Sequence, residues 1–83
     1  MENNFNEKSL TPRETEIIIQ IANGKTNKEI SEVLSLSTST VKNHISNIFI
    51  KLKISNRAQA TSFAIHTGLL ENYVAAGGNK VTT

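Results

Sequence analysis

The stretch Thr38–Lys53, TSTVKNHISNIFIKLK, decides how the rest of the chain is read. At about 100° per residue, Val41, Ile45, Ile48, Phe49 and Leu52 gather within an arc of roughly 100°, the width of a core-facing helical stripe. The opposite side carries Asn43, Ser46, Asn47 and Ile50. Lys42 and Lys53 lie along one edge of it, His44 and Lys51 along the other. An ordinary surface helix scatters Glu and Lys over its outer face and gains i,i+4 pairs. This one has no acidic residue. Its front is built of amide and hydroxyl groups that both donate and accept hydrogen bonds, with cations on the shoulders. Ile50 reads either as a lone exposed apolar residue, which is ordinary, or as a packing contact near the end of that front.

Outward from this helix, the local signals repeat. Ser35-Leu36-Ser37 is a three-residue joint, and Ser37 or Thr38 caps the helix that follows. Before the joint, Thr26 and Glu29 form a capping box over a helix spanning about 26–34, with Ile30, Val33 and Leu34 on one side. Further back, Thr11, Pro12 and Glu14 open a helix over about 11–23, and Gly24 supplies its left-handed stop. The β-branched run around Ile17–Ile21 favours a strand. The capping chemistry and the Ile17, Ile18, Ile21, Ala22 stripe outweigh that propensity. Ile19 falls nearly opposite this stripe and is expected to be a tolerated apolar surface residue. Beyond the long helix, Asn56 as N-cap, Gln59 at N3 and Gly68 as stop define a fourth helix over about 57–67.

No strand pattern survives. The expected class is all-α: a compact four-helix bundle containing a helix-turn-helix, with a domain at 10–70 between flexible tails at 1–9 and 71–83. At 83 residues one small domain is expected, burying about 60% of the surface of its unfolded chain.

Composition narrows the chemistry. The chain has neither Cys nor Asp, and its two His, His44 and His66, fall on different helices without an acidic neighbour in sequence. Zinc needs more ligands at coherent spacing, and no phosphate-cradling glycine motif is present. Neither an enzyme nor a bound cofactor or metal is expected. No apolar run approaches the roughly 18 residues that span a bilayer, and the first nine residues lack a signal-peptide core; a cytoplasmic protein without membrane contact is expected. The seven acidic residues are all Glu, at 2, 7, 14, 16, 29, 32 and 71, so residues 33–70 hold Lys42, Lys51, Lys53 and Arg57 and no acid. Such asymmetry suits a polyanion, or equally a solvated basic face.

The third helix weighs against the plain solvated face. Asn and Ser can exchange hydrogen bonds with base edges while Lys serves phosphates or guanine. Two capped helices joined tightly, the second bearing such a face in its N-terminal half, form the arrangement in which one helix braces the DNA backbone and the next reads the groove. Thr38, Ser39 and Thr40 lie in the first turn of the reading helix, where hydroxyls and free N–H groups make a natural phosphate site.

At this point the residues resemble a known family. Leu10-Thr11-Pro12-Arg13-Glu14 with Glu16-Ile17, Ala22 with Gly24, Asn27-Lys28-Glu29-Ile30, Ser39-Thr40-Val41-Lys42 with His44-Ile45, Lys51-Leu52, and Arg57 with Gln59-Ala60 are similar to the LuxR/FixJ-type (GerE-like) helix-turn-helix. The likeness runs without a gap from Leu10 to Leu70, in motifs at fixed spacing. It fits a stand-alone GerE-like regulator or the C-terminal domain of a response regulator. The resemblance implies a transcriptional regulator that binds double-stranded DNA, with its third helix in the major groove of a pseudo-palindromic site and its fourth helix joining a homodimer. RNA polymerase is a further expected partner.

Carried over by position, Lys42, Asn43 and Ser46 match base-facing residues, and Asn47 joins them from the helical wheel. Lys28, Thr38, Thr40, His44 and Lys51 fall at or near backbone-contacting positions, with Ser39 beside them. On the fourth helix Ala60, Phe63, Ala64 and Thr67 point one way, towards the core. Ala58, Thr61, Ser62 and Ile65 form a second, small-residue face, which by itself reads equally as a plain surface. The resemblance makes it the expected dimer interface.

Three residues depart from the family pattern. Lys53 stands where Gly is common, so it either adopts a left-handed conformation at a cost of about 1 kcal/mol or lets the helix run on. Gln20 replaces a usual apolar residue. Ser46 stands where some relatives carry a cation, so base preference does not transfer from them. Two other classes fit less well. A module that sequesters a protein partner has no need of an acid-free Asn/Ser front, and a promoter-reading region of a sigma factor is disfavoured by the fourth helix.

Overall fold

Each helix begins where a side chain supplies the acceptor that its first N–H groups lack. The computed structural model describes residues 10–69; the expected tails at 1–9 and 71–83, and the domain edge at Leu70, lie outside the described residues. Four helices run through it: α1 (Pro12–Ala22), α2 (Asn27–Leu34), α3 (Thr38–Leu52) and α4 (Arg57–His66), with no strand among the described residues. Both expected capping boxes are present. Thr11 Oγ1 accepts from the Glu14 N–H at 3.1 Å while Glu14 Oε1 accepts from the Thr11 N–H at 2.9 Å. Thr26 and Glu29 repeat the exchange at 3.1 and 2.8 Å, and the bond from Thr26 holds the Glu29 carboxyl below its ordinary pKa. At α3 the cap is Ser37, whose Oγ accepts from the Thr40 N–H at 3.1 Å. At α4 the Asn56 side chain accepts from the Gln59 N–H at 2.9 Å, but Gln59 reaches back to the Ser55 N–H, one residue before the cap, at 2.6 Å.

The ends are less uniform. Gly24 (φ 82°) and Gly68 (φ 75°) turn left-handed after α1 and α4, as their lack of a Cβ allows. After α2 and α3 the same conformation falls on Ser35 (φ 56°) and Lys53 (φ 58°). Lys53 therefore ends α3 rather than prolonging it, and its N–H bonds to the Ile50 carbonyl at 3.2 Å. Lys53→Gly should remove the Cβ penalty and stabilise the domain by about 1 kcal/mol. A rise in the urea midpoint at unchanged slope is the expected readout, and a fall would show that the lysine stem contributes more by packing than its backbone costs.

α1 packs most extensively on α4 and also meets α3 and α2, while α2 packs on α3. The core between them is aliphatic: Ile17, Ile18, Ile30, Val41, Ile48, Leu52, Ala60 and Ala64 are fully buried. Two expectations are corrected. Ile19 is not a surface residue; it is 5% exposed and Gln20 beside it 7%, because α1 has neighbours on three sides and few of its residues keep a free face. Val33 does not join Ile30 inside but is 56% exposed, and Ser31 is buried in its place. The buried arc of α2 extends from Ile30 and Leu34 towards Ser31, which leaves Val33 about 100° round the helix from its centre.

Candidate nucleic-acid interface

Burial of one side of α3 sets what the other side presents. Val41, Ile45, Ile48 and Leu52 are buried and Phe49 is half-buried against the same cluster. Lys42, Asn43, Ser46 and Asn47 are consequently all exposed. None of these four side chains has a hydrogen-bond or ion-pair partner among the described residues. Four polar side chains on a rigid helix face with unused donors and acceptors can be satisfied by water or by an incoming ligand. Ile50 lies on the same side and is 74% exposed.

The first turn of α3 adds hydroxyls. Thr38 and Ser39 are exposed; Thr40 is half-buried, its Oγ1 accepting from Ser37 Oγ at 2.9 Å. His44 is half-buried on the flank. Lys28, on α2, is exposed and only loosely held by Glu32 at 3.8 Å, a surface pair that contributes little. An open cleft beside it is lined by Lys25, Lys28 and Arg57 among others. Arg57, one of the cations of the basic half, is committed to the protein: it donates to Asn27 Oδ1 at 2.8 Å and to the Lys25 carbonyl at 2.7 Å, tying the start of α4 to the α1–α2 loop.

Lys51 is engaged more deeply. Its Nζ donates to Glu14 Oε1 at 2.7 Å, so one carboxylate oxygen serves both the Thr11 N–H at the start of α1 and an ammonium near the end of α3. The Glu14 side chain is 6% exposed and that of Lys51 34%. Burial raises the pKa of the carboxyl, but the Lys51 ammonium and the Thr11 hydrogen bonds outweigh it and hold Glu14 below the ordinary carboxylate range. The reading of Glu14 as a local capping residue was therefore incomplete. No periodicity connects two residues 37 apart, and the one hint is that Glu14 falls on the same side of α1 as the Ile17, Ile18 and Ile21 stripe.

On α4, Ala60 and Ala64 are buried and Phe63 and Thr67 half-buried. Ala58, Ser62 and Ile65 are exposed, Ile65 by 59%, while Thr61 is half-buried. His66 Nδ1 lies 2.8 Å from the Ser62 carbonyl oxygen. No group of His, Cys, Asp and Glu among the described residues could hold a metal ion, and no described helix is long and apolar enough to cross a membrane.

Comparison with known proteins agrees with this geometry. Residues 8–64 match the family described as bacterial regulatory proteins, luxR family. Over 63 residues the chain is 54% identical to the transcriptional regulatory protein LiaR of Bacillus subtilis, covering 76% of this chain and 30% of that protein. It is 48% identical over 60 residues to the uncharacterized transcriptional regulatory protein YhcZ of the same organism, covering 72% and 28%. Over 62 residues it is 42% identical to the response regulator protein VraR of Staphylococcus aureus, covering 75% and 30%. The chain thus spans under a third of the length of these relatives. With the family matched over most of the chain and four helices arranged around a helix-turn-helix, the protein belongs to the luxR family of bacterial regulatory proteins, and the matched region is a DNA-binding transcriptional regulator domain.

Proposed function

We propose that this chain is the DNA-reading part of a regulator that binds a pseudo-palindromic site as a homodimer, with α3 lying in the major groove. The observation that carries the reading is the exposed, acid-free and unpartnered face of α3 opposite a fully buried stripe. Lys42, Asn43, Ser46 and Asn47 read base edges, where Asn suits adenine and Lys suits guanine. Thr38, Ser39 and Thr40 at the helix N-terminus, His44 on its flank and Lys28 across the turn hold the phosphate backbone. Lys51 faces the backbone from a position already braced by Glu14. Ala58, Thr61, Ser62 and Ile65 form the contact with a second copy, their small side chains letting two α4 helices approach closely around the exposed Ile65. Two copies then place their α3 helices on half-sites about one DNA turn apart. By likeness to the response regulator protein VraR, the chain is part of a response regulator; RNA polymerase is its further partner on the DNA.

The test uses a duplex recovered by this protein from a randomised library. Asn43→Ala should cost ~1–3 kcal/mol against the selected sequence at one or two base pairs and much less against unrelated DNA. Binding should weaken steeply with salt, since each neutralised phosphate releases condensed counterions. The complex should contain two protein chains per site. A flat salt dependence, or equal losses on all sequences for Asn43→Ala, would remove the assignment of the reading face.

A further inference from the structure

Ile50 has no role in the machinery above, yet its placement is unusual. It sits at the centre of the exposed side of α3, about 180° from the Val41 direction, with Asn43, Ser46 and Asn47 on the same side. Among the described residues it is the most exposed large apolar one, at 74%, and the core is complete without it. Residues i and i+7 lie almost in line on a helix, so Ile50 stands beneath Asn43 at an axial distance of roughly 10 Å, about three base-pair steps. A β-branched side chain there is stiff, having one strongly preferred rotamer in a helix.

We propose that Ile50 is an apolar reader, packing against the C5 methyl group of a thymine about three base pairs from the one contacted by Asn43. The inference rests on α3 lying in the major groove as proposed above. In that groove the thymine methyl is the only apolar group that a base edge offers, and apolar side chains recognise it by contact. Polar Asn and Ser cannot supply this, and a charged or amide residue at position 50 would instead seek a phosphate or a base heteroatom. Ile50 also has nothing to gain from phosphate, so its contribution is independent of counterion release. The face is thereby a mixed code: hydrogen-bonding groups from Lys42 to Asn47 and a methyl-sensing group after them.

The test uses the selected duplex and a set in which each thymine is replaced singly by uracil, which removes only the methyl group. For the unaltered protein one thymine per half-site should show a three- to fivefold loss of affinity on replacement, the size expected for withdrawing one buried methyl from apolar contact. With Ile50→Ala that thymine should become indifferent, while the salt dependence and the effect of Asn43→Ala remain as before. Ala is a strong helix former and position 50 is exposed, so the variant keeps its fold. If no uracil replacement distinguishes Ile50→Ala from the parent while Asn43→Ala still relaxes specificity, the apolar contact is wrong and the groove reading stands. If neither variant changes sequence preference, both fall.

Discussion

Ile48→Ala is expected to cost about 2–5 kcal/mol of stability, because it opens a cavity at a fully buried position facing the other helices. A domain of this size is stable by roughly 3–9 kcal/mol in all, so the variant should be partly or wholly unfolded at 37 °C. Ile48 lies on the side of α3 opposite Asn43, Ser46 and Asn47 and is not itself a proposed DNA contact. The loss of binding should therefore follow the unfolded fraction. Lowering the temperature or adding a stabilising osmolyte should restore both fold and affinity together. Chemical denaturation followed by circular dichroism gives the first quantity, and titration of the selected duplex gives the second. A well-folded Ile48→Ala protein that failed to bind would show that the buried stripe sets the position of the reading face as well as holding it.

Lys51→Met is the second large effect, and its pH dependence separates it from simple loss of packing. Removing the ammonium leaves the Glu14 carboxylate buried with only its hydrogen bonding to Thr11. Breaking a buried pair in this way costs about 3 kcal/mol at neutral pH, the low end of the usual range because Lys51 is one-third exposed. In the parent protein the folded-state pKa of Glu14 is depressed. The stability it contributes is present above the unfolded carboxylate pKa and is lost as pH falls through the lower, folded value. In Lys51→Met burial is opposed only by the bonds to Thr11, so the folded pKa rises from its depressed value. The variant therefore loses less stability than the parent as pH falls, because its carboxyl is no longer held acidic by the ammonium. Urea midpoints from pH 7 down to pH 3 should show the gap between the two proteins narrowing with acid. Glu14→Gln in the Lys51→Met background should abolish that dependence. A gap independent of pH would mean that Glu14 titrates alike in both proteins and that Lys51 acts by packing alone.

These two residues also mark what is special about α3. It is held against α1 by an apolar stripe and, near its C-terminal end, by an ion pair that reuses the cap of another helix. The pair fixes how far α3 can rotate or slide on α1. A reading face needs that constraint, since a rotation of one residue step would bring Lys42 or His44 where Asn43 stands. Arg57 performs a similar service for α4 by anchoring its start to the α1–α2 loop, which steadies the helix that carries the proposed dimer contact.

Most of the fold is legible in the sequence. Helix boundaries depend on groups three or four residues apart, and Thr11 with Glu14, Thr26 with Glu29, Asn56, Gly24 and Gly68 announce them directly, while the third helix leaves its cap open between Ser37 and Thr38 until the structure selects Ser37. The two faces of α3 were equally visible, because 3.6-residue periodicity is a property of one helix alone. What required tertiary structure was everything that depends on how many neighbours a helix has. α1 meets three other helices, so Ile19 and Gln20 are buried although a single-stripe wheel puts Ile19 outside. Val33 is exposed and Ser31 buried because the direction from which α3 covers α2 is set by the turn between them, where Ser35 takes a left-handed conformation that no glycine signals. The commitment of Lys51 to Glu14 joins residues that are distant in sequence and adjacent only once α1 and α3 pack. Local hydrogen bonding writes itself into neighbouring residues; the packing of helices against one another is decided by shape and charge across the whole domain.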